Sequence, residues 1–414
     1  MEINEFLNKA NEGFNLIPII EEIEFFDKEA IDVYSNHFDE KKSFFFESLE
    51  GDKNWSRYTI IGCSSGDFIE IYGDIIHKFS DFSCDEVIQD PNPVRWLEKY
   101  FKEFNAFIPN NLPSFSGGFV GHFSFESICY FEDTIKRKKQ KNDVNAPDIS
   151  LIVCKDFIVF DKTQNKVFIV VFSECLQKDY ENSKSKVNEY KKLLMTDIDT
   201  NVVTKTNHTT EVKYDFSKAE FLSAVEQIKN YITNGDVMQV VLSQRMTINF
   251  SEKPIDFYRE LRQINPSPYM YYLNMGEYTV VGSSPEILVR LEDERVTVRP
   301  IAGTRPRSTD DEADKKYEID LLNDKKELAE HLMLIDLGRN DIGRICETGS
   351  VVLTDKMIIE RYSHVMHMVS NVEGIIKPNY SLFDVLKATF PAGTVSGAPK
   401  IRALQIIFEL ENIT

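Results

Sequence analysis

Cysteine is scarce and unpaired in this chain of 414 residues: six are present, at Cys63, Cys84, Cys129, Cys154, Cys175 and Cys346, and none belongs to a C-x-x-C pair. That scatter excludes a disulfide framework and fits a reducing, cytoplasmic compartment. Basic charge is short as well, with 48 Lys and Arg against 67 Asp and Glu and a formal net charge of -19. Nucleic acid is thereby excluded as a partner, because neutralising phosphates takes a surplus of Lys and Arg. The one basic cluster, Lys136 to Lys141, lies between Asp133 and Asp143 and reads as a solvated loop. No run approaches the ~18 apolar residues that a membrane span needs. The N-terminus begins acidic and helical, which is not the pattern of an export signal. Nucleotide loops are lacking too: Gly393-Thr-Val-Ser-Gly-Ala-Pro-Lys400 has the wrong glycine spacing for a P-loop, and no strand-linked G-x-G-x-x-G is present.

What is there begins with short β-type runs from about 13 to 190. Ser43-Phe-Phe-Phe-Glu-Ser48, Phe68-Ile-Glu-Ile-Tyr72, Ile149-Ser-Leu-Ile-Val153 and Lys166-Val-Phe-Ile-Val-Val-Phe172 are the clearest. They predict an α+β fold with mostly antiparallel sheet. The Thr- and Asn-rich stretch from Asp197 to Val212 lacks periodicity and reads as a link between a region 1–200 and a region 213–414. After it, Ser217 and Glu220 form a capping box and Phe216 with Phe221 a hydrophobic staple. Phe221, Val225, Ile228 and Ile232 recur at helical spacing until Asn234-Gly235 ends the helix. A strand is expected over Val237–Ser243, with Gln239, Val241 and Ser243 on one face.

Three segments carry candidate chemistry. Lys325–Ile335 reads as a helix with Leu328, Leu332 and Ile335 on one face and Glu327, Glu330 and His331 on a different one. Two carboxylates at i, i+3 can converge on one cation, although from spacing alone a solvated acidic stripe is the better reading. His364 and His367, three apart in a strand-like run, would point to opposite faces and could not share a metal. Ser283-Ser-Pro-Glu286 follows a strand pattern and is otherwise an ordinary turn.

Arg299-Pro-Ile-Ala-Gly-Thr-Arg-Pro-Arg307, Glu330-His-Leu-Met-Leu-Ile-Asp-Leu-Gly-Arg-Asn-Asp341, Glu360-Arg-Tyr-Ser-His-Val-Met-His367 and Phe390-Pro-Ala-Gly-Thr-Val-Ser-Gly-Ala-Pro-Lys400 occur in that order. Together they resemble the chorismate-utilising enzymes, and most closely the anthranilate synthase component I group. The resemblance covers most of the chain, strongly from about 235 to 411. It implies large, mostly antiparallel sheets packed as a sandwich with peripheral helices. It further implies that Glu330 is a ligand of Mg2+, with Glu327 the second candidate, and that His367 and Glu286 act in proton transfer beside the substrate ring. Thr394 would lie near the substrate, and Gly303-Thr304 would give backbone N–H and hydroxyl groups to a carboxylate.

Two positions sort the reactions of this family. Relatives that add water to chorismate tend to have Lys where Gln239 stands, and an amide cannot activate water. Enzymes of the aminodeoxychorismate synthase type usually have Lys where Ala302 stands, as a nucleophile towards the ring. The resemblance therefore implies that chorismate and ammonia give anthranilate and pyruvate, with an aminodeoxychorismate synthase component I-like enzyme as the alternative. No glutaminase phrase is present, so ammonia would come from a separate glutamine amidotransferase subunit, component II.

Phe45-Phe-Glu-Ser-Leu-Glu-Gly51 with Trp55-Ser-Arg-Tyr-Thr-Ile-Ile-Gly62, and Asn265-Pro-Ser-Pro-Tyr-Met270, resemble the segments that bind feedback L-tryptophan. Ser48, Pro268, Tyr269 and Met270 would line that pocket. Beyond Phe408-Glu-Leu-Glu411 the family would continue with a further carboxylate-binding turn and another Mg2+ ligand, so residues 1–414 alone are expected to turn over little. A shortened, non-catalytic regulatory relative is the competing expectation.

Overall fold

The computed structural model describes residues 1–24, 28–49, 57–136, 144–198 and 211–411. The chain forms two compact units, Met1–Ser124 with Ala146–Lys205 and Glu252–Ser284, and Phe125–Asn145 with Thr206–Ser251 and Pro285–Thr414. They interleave, where the sequence reading placed a single boundary between 200 and 213. The core of the expected link, 199–210, and most of the basic cluster, 137–141, lie outside the described residues.

The first unit is built on alternation. In Ser43–Glu47 successive phenylalanines face opposite ways, as the two-residue repeat of a strand dictates. Phe45 meets Tyr34 and Tyr258 at ring-centroid distances of 5.4 and 5.7 Å, on the side covered by helices Ala30–His37 and Pro254–Ile264. Phe44 turns to the other side and packs with Val120 and Ile152 of a second sheet. The first sheet has seven strands, in the order Ile17–Glu24, Lys166–Ser173, Asp156–Asp161, Tyr58–Gly62, Ser43–Glu47, Tyr269–Asn274 and Thr279–Ser284, and every pairing is antiparallel. The second has five, running from Ser83–Gln89 to Gly118–Phe123, also antiparallel. The shared apolar layer makes the expected sandwich, with helices on the outer face of the larger sheet.

In the second unit the long strand Val365–Ile375 pairs along one edge with Val352–Arg361 and along the other with Arg295–Val298 and Ile301–Pro306. The helix Lys325–Gly343 covers this sheet, burying Ile335 and Ile342 against Val296, Val298 and Val372. A second cluster joins helices Lys218–Thr233 and Lys400–Leu410 through Ile228, Ala403 and Ile406. The capping box of the former helix is formed, Phe216 and Phe221 meet at 6.0 Å, and Gly235 takes a left-handed φ of +81° just past its end. Among the described residues no helix is long and apolar enough to cross a membrane.

Candidate active site

The sheet of the second unit gathers the first group of residues. Ala302 pairs with Met368 and Thr304 with His367, so the strand bulges at Gly303, whose φ is +73°. A Cβ on Gly303 would stand 2.9 Å from Leu321 Cδ1 and 3.3 Å from Glu327 Oε2. Glycine therefore lets the backbone bulge while the Glu327 carboxylate stays close. The Gly303 carbonyl lies 3.1 Å from His367 Nδ1, and Thr304 Oγ1 lies 3.1 Å from the same nitrogen. A carbonyl only accepts, so Nδ1 carries the proton and Nε2 is left as the acceptor of the neutral ring. The Tyr362 ring leans on His367 at 5.5 Å, and its hydroxyl donates to Glu360, which in turn pairs with Arg299.

The second group meets on the covering helix and the loop before Lys400. Gln239 Nε2 donates to Glu330 Oε1 over 3.1 Å, and Gln239 itself is held by backbone pairing with Ala398. Thr394 Oγ1 donates to Glu286 Oε2 at 3.3 Å. Burial pushes the Glu286 carboxyl up to about 7, opposed by that hydroxyl and by the backbone N–H of Ile301. Glu286 and Thr394 border one small cavity together with Arg299, Gly338 and Asp341. Among the described residues no group of three or more His, Cys, Asp or Glu side chains gathers as a metal site. Glu327 and Glu330 nevertheless suit Mg2+ as a partial donor set, since the ion is usually held by one or two carboxylates with water and substrate oxygens.

Three expectations need correction. His331 is fully buried, with Nε2 2.7 Å from Ser370 Oγ, while Leu332 is 48 % exposed. The inward stripe of the helix is His331, Leu334, Ile335 and Ile342, because the sheet beneath offers a hydroxyl where the imidazole lands. His364 precedes the strand of His367 and is exposed, bonded to the hydroxyl of Ser363. Of the expected strand Val237–Ser243 only Gln239–Val240 is strand, because its partner Gly397–Ala398 is equally short.

Reading by motif also passed over Lys400 and Asp341, which form a buried ion pair of 2.6 Å. The overlooked signal is positional: Lys400 opens a helix, where the dipole disfavours a cation unless an anion awaits it.

The residues expected to receive L-tryptophan belong to the first unit. The Leu49 N–H donates to the Ser267 carbonyl at 3.1 Å, which puts the Ser48 segment against the turn before Pro268, Tyr269 and Met270. Ser48 and Met270 are buried, and the Ser48 carbonyl accepts from Lys162 Nζ at 3.3 Å. Gly51 and Trp55 lie outside the described residues.

With this geometry in hand, the chain as a whole can be set beside known proteins. Residues 48–414 fit the family described as chorismate binding enzyme, and the chain belongs to that family. It is 42 % identical over 419 residues to the anthranilate synthase component 1 of Pseudomonas aeruginosa, covering 100 % of this chain and 85 % of that protein. The crystal structure of anthranilate synthase component I from Streptococcus pneumoniae superposes with a TM-score of 0.77 at 34 % identity, over 95 % of this chain and 85 % of that one. The menaquinone-specific isochorismate synthase of Escherichia coli shares the fold at a TM-score of 0.65 and 14 % identity, over 100 % of this chain and 84 % of that one.

Proposed function

We propose that this chain is the chorismate-converting subunit of an anthranilate synthase, forming anthranilate and pyruvate from chorismate and ammonia at the entry to tryptophan biosynthesis. The observation that carries the reading is the pairing of Gln239 with Glu330 beside a strand in which Ala302, and no lysine, precedes the Gly303 bulge. An amide cannot serve as the base that activates water, and alanine supplies no amine nucleophile, so free ammonia attacks the ring. It adds at C2 as the C4 hydroxyl departs as water, and loss of the enolpyruvyl group as pyruvate with a ring proton restores aromaticity. Atoms balance as chorismate plus ammonia giving anthranilate, pyruvate and water.

His367 Nε2 takes part in proton transfer near the C4 oxygen, its tautomer set by the Gly303 carbonyl. Glu286, buried and titrating at about 7, is the second proton carrier, and the Thr394 hydroxyl orients it. Gly303 and Thr304 bind a substrate carboxylate through backbone N–H and hydroxyl. Mg2+, held by Glu330 and Glu327, would supply positive charge against the carboxylates of chorismate. The relatives' designation as component 1 supports a partner that delivers ammonia, a glutamine amidotransferase of the component II kind. Feedback by L-tryptophan at Ser48, Pro268, Tyr269 and Met270 and a cytoplasmic location complete the reading.

The test incubates the protein, extended at its C-terminus with the corresponding segment of a component I relative, with chorismate, ammonium and Mg2+ and follows anthranilate fluorescence. EDTA is expected to abolish the signal and added Mg2+ to restore it. Accumulation of isochorismate or aminodeoxychorismate in place of anthranilate would overturn the assignment.

A further inference from the structure

We propose that the buried pair Lys400 and Asp341 is a positioning clamp for the reaction, fixing the loop that presents Thr394 to Glu286. This rests on the reading of Glu286 and Thr394 as catalytic groups. The loop leaves helix Leu382–Thr389, passes Thr394 in the short turn Gly393–Val395, and ends where helix Lys400–Leu410 begins. Lys400 Nζ reaches back across it to the Thr389 carbonyl at 3.0 Å and to Asp341 Oδ2 at 2.6 Å. One ammonium thus ties the two ends of the loop to each other and to the helix that bears Glu327 and Glu330.

Helix stability does not account for the charges. Lys400 sits at the N-terminus of its helix and Asp341 near the C-terminus of its own, the ends at which each sign is disfavoured. Lys400 and Asp341 are only 7 % and 8 % exposed. Such a pair loses hydration that an apolar pair of similar volume would not, so burial alone gives no reason for it. What the pair adds is direction. Thr389, Asp341, Gly393 and Thr394 border the same small cavity as Glu286, so a shift of the clamp moves the hydroxyl that orients the acid.

Inside the loop, Ser396 Oγ donates to the Ala392 carbonyl at 2.9 Å and the Ser396 N–H to the Gly393 carbonyl at 3.2 Å. Gly393 lies flat on Leu337, where a Cβ would come within 2.2 Å of Leu337 Cδ2. The loop is therefore braced from within, and it is held at its ends by the clamp and near Gly397–Ala398 by pairing with Gln239–Val240.

The test is a kinetic cycle on the full-length enzyme. Lys400→Met alone would strand a buried carboxylate, so the informative variant is Lys400→Met with Asp341→Leu, which keeps the site filled and free of unpaired charge. It is expected to fold, by circular dichroism, and to lose kcat by roughly 10- to 100-fold, the scale set by a small misplacement of reacting groups. KM for chorismate is expected to stay within about threefold, since the loss falls on the transition state. Adding Thr394→Val should lower kcat no more than about threefold below Thr394→Val alone, because the clamp acts through that hydroxyl.

A clamp variant that keeps wild-type kcat, that fails to fold, or whose loss multiplies with that of Thr394→Val would overturn the clamp. Full activity in Thr394→Val and Glu286→Gln themselves would instead sink the catalytic reading beneath it.

Discussion

Glu286 carries its proton to unusually high pH because its carboxyl is shielded from water, an effect that the Thr394 hydroxyl and the Ile301 backbone N–H oppose without cancelling. With a folded value of about 7 against an unfolded value of 4.5, the native state binds this proton more tightly than the unfolded chain. Its contribution to stability is therefore fully present below about pH 4.5 and is lost as pH rises through 7. Thermal melts from pH 5 to 8 should show a decline in the wild type that is shallower in Glu286→Gln. In the same variant the limb of the pH–rate profile near 7 should vanish, and an unchanged profile would remove Glu286 from proton transfer. At this scale phrases were easier to read than neighbours. Thr304 and His367 stood in recognisable segments, yet nothing local revealed that they meet across a bulge. Helical spacing alone puts His331 on the acidic face, because the Ser370 hydroxyl that receives it lies 39 residues away.

Elements differ in how local their causes are. The helix Lys218–Thr233 was legible from cap to cap because its box, staple and terminal glycine all lie within its own sequence. The strand expected at Val237–Ser243 was not, since a strand exists only as far as its partner does. That partner depends on Gly397, whose φ is +140° and whose missing side chain leaves room for the Gln239 carbonyl, 2.1 Å from where a Cβ would be. Gly397→Ala puts strain of about 1–3 kcal/mol on the backbone and drives Gln239 aside. The expected outcome is a lower melting temperature together with loss of anthranilate formation, because Gln239 no longer holds Glu330. A melting temperature and a kcat equal to wild type would show that the ladder tolerates the methyl and does not place Gln239.

On the scale of the whole molecule, composition and alternation were enough for an antiparallel α+β fold, but not for the interleaving of its units. A break between 197 and 212 is visible as a loss of periodicity, whereas the return of Glu252–Ser284 to the first unit is decided by distant partners such as Phe46, opposite Tyr271. The strand Thr279–Ser284 pairs with Tyr269–Asn274, and the Ser267 hydroxyl donates to the Ser284 carbonyl, so the turn proposed to receive tryptophan is fastened to the strand end two residues before Glu286. Ser48→Phe fills the buried space beside that turn, with overpacking of about 1–3 kcal/mol expected to lower the melting temperature. Tryptophan affinity, measured by calorimetry on the wild type and the variant, is expected to fall by an order of magnitude or more, since an aromatic ring then stands where the ligand would. The inhibition constant should rise in step, referred to each protein's own kcat without tryptophan. Equal affinity and equal inhibition in the two proteins would place the tryptophan site elsewhere in the chain.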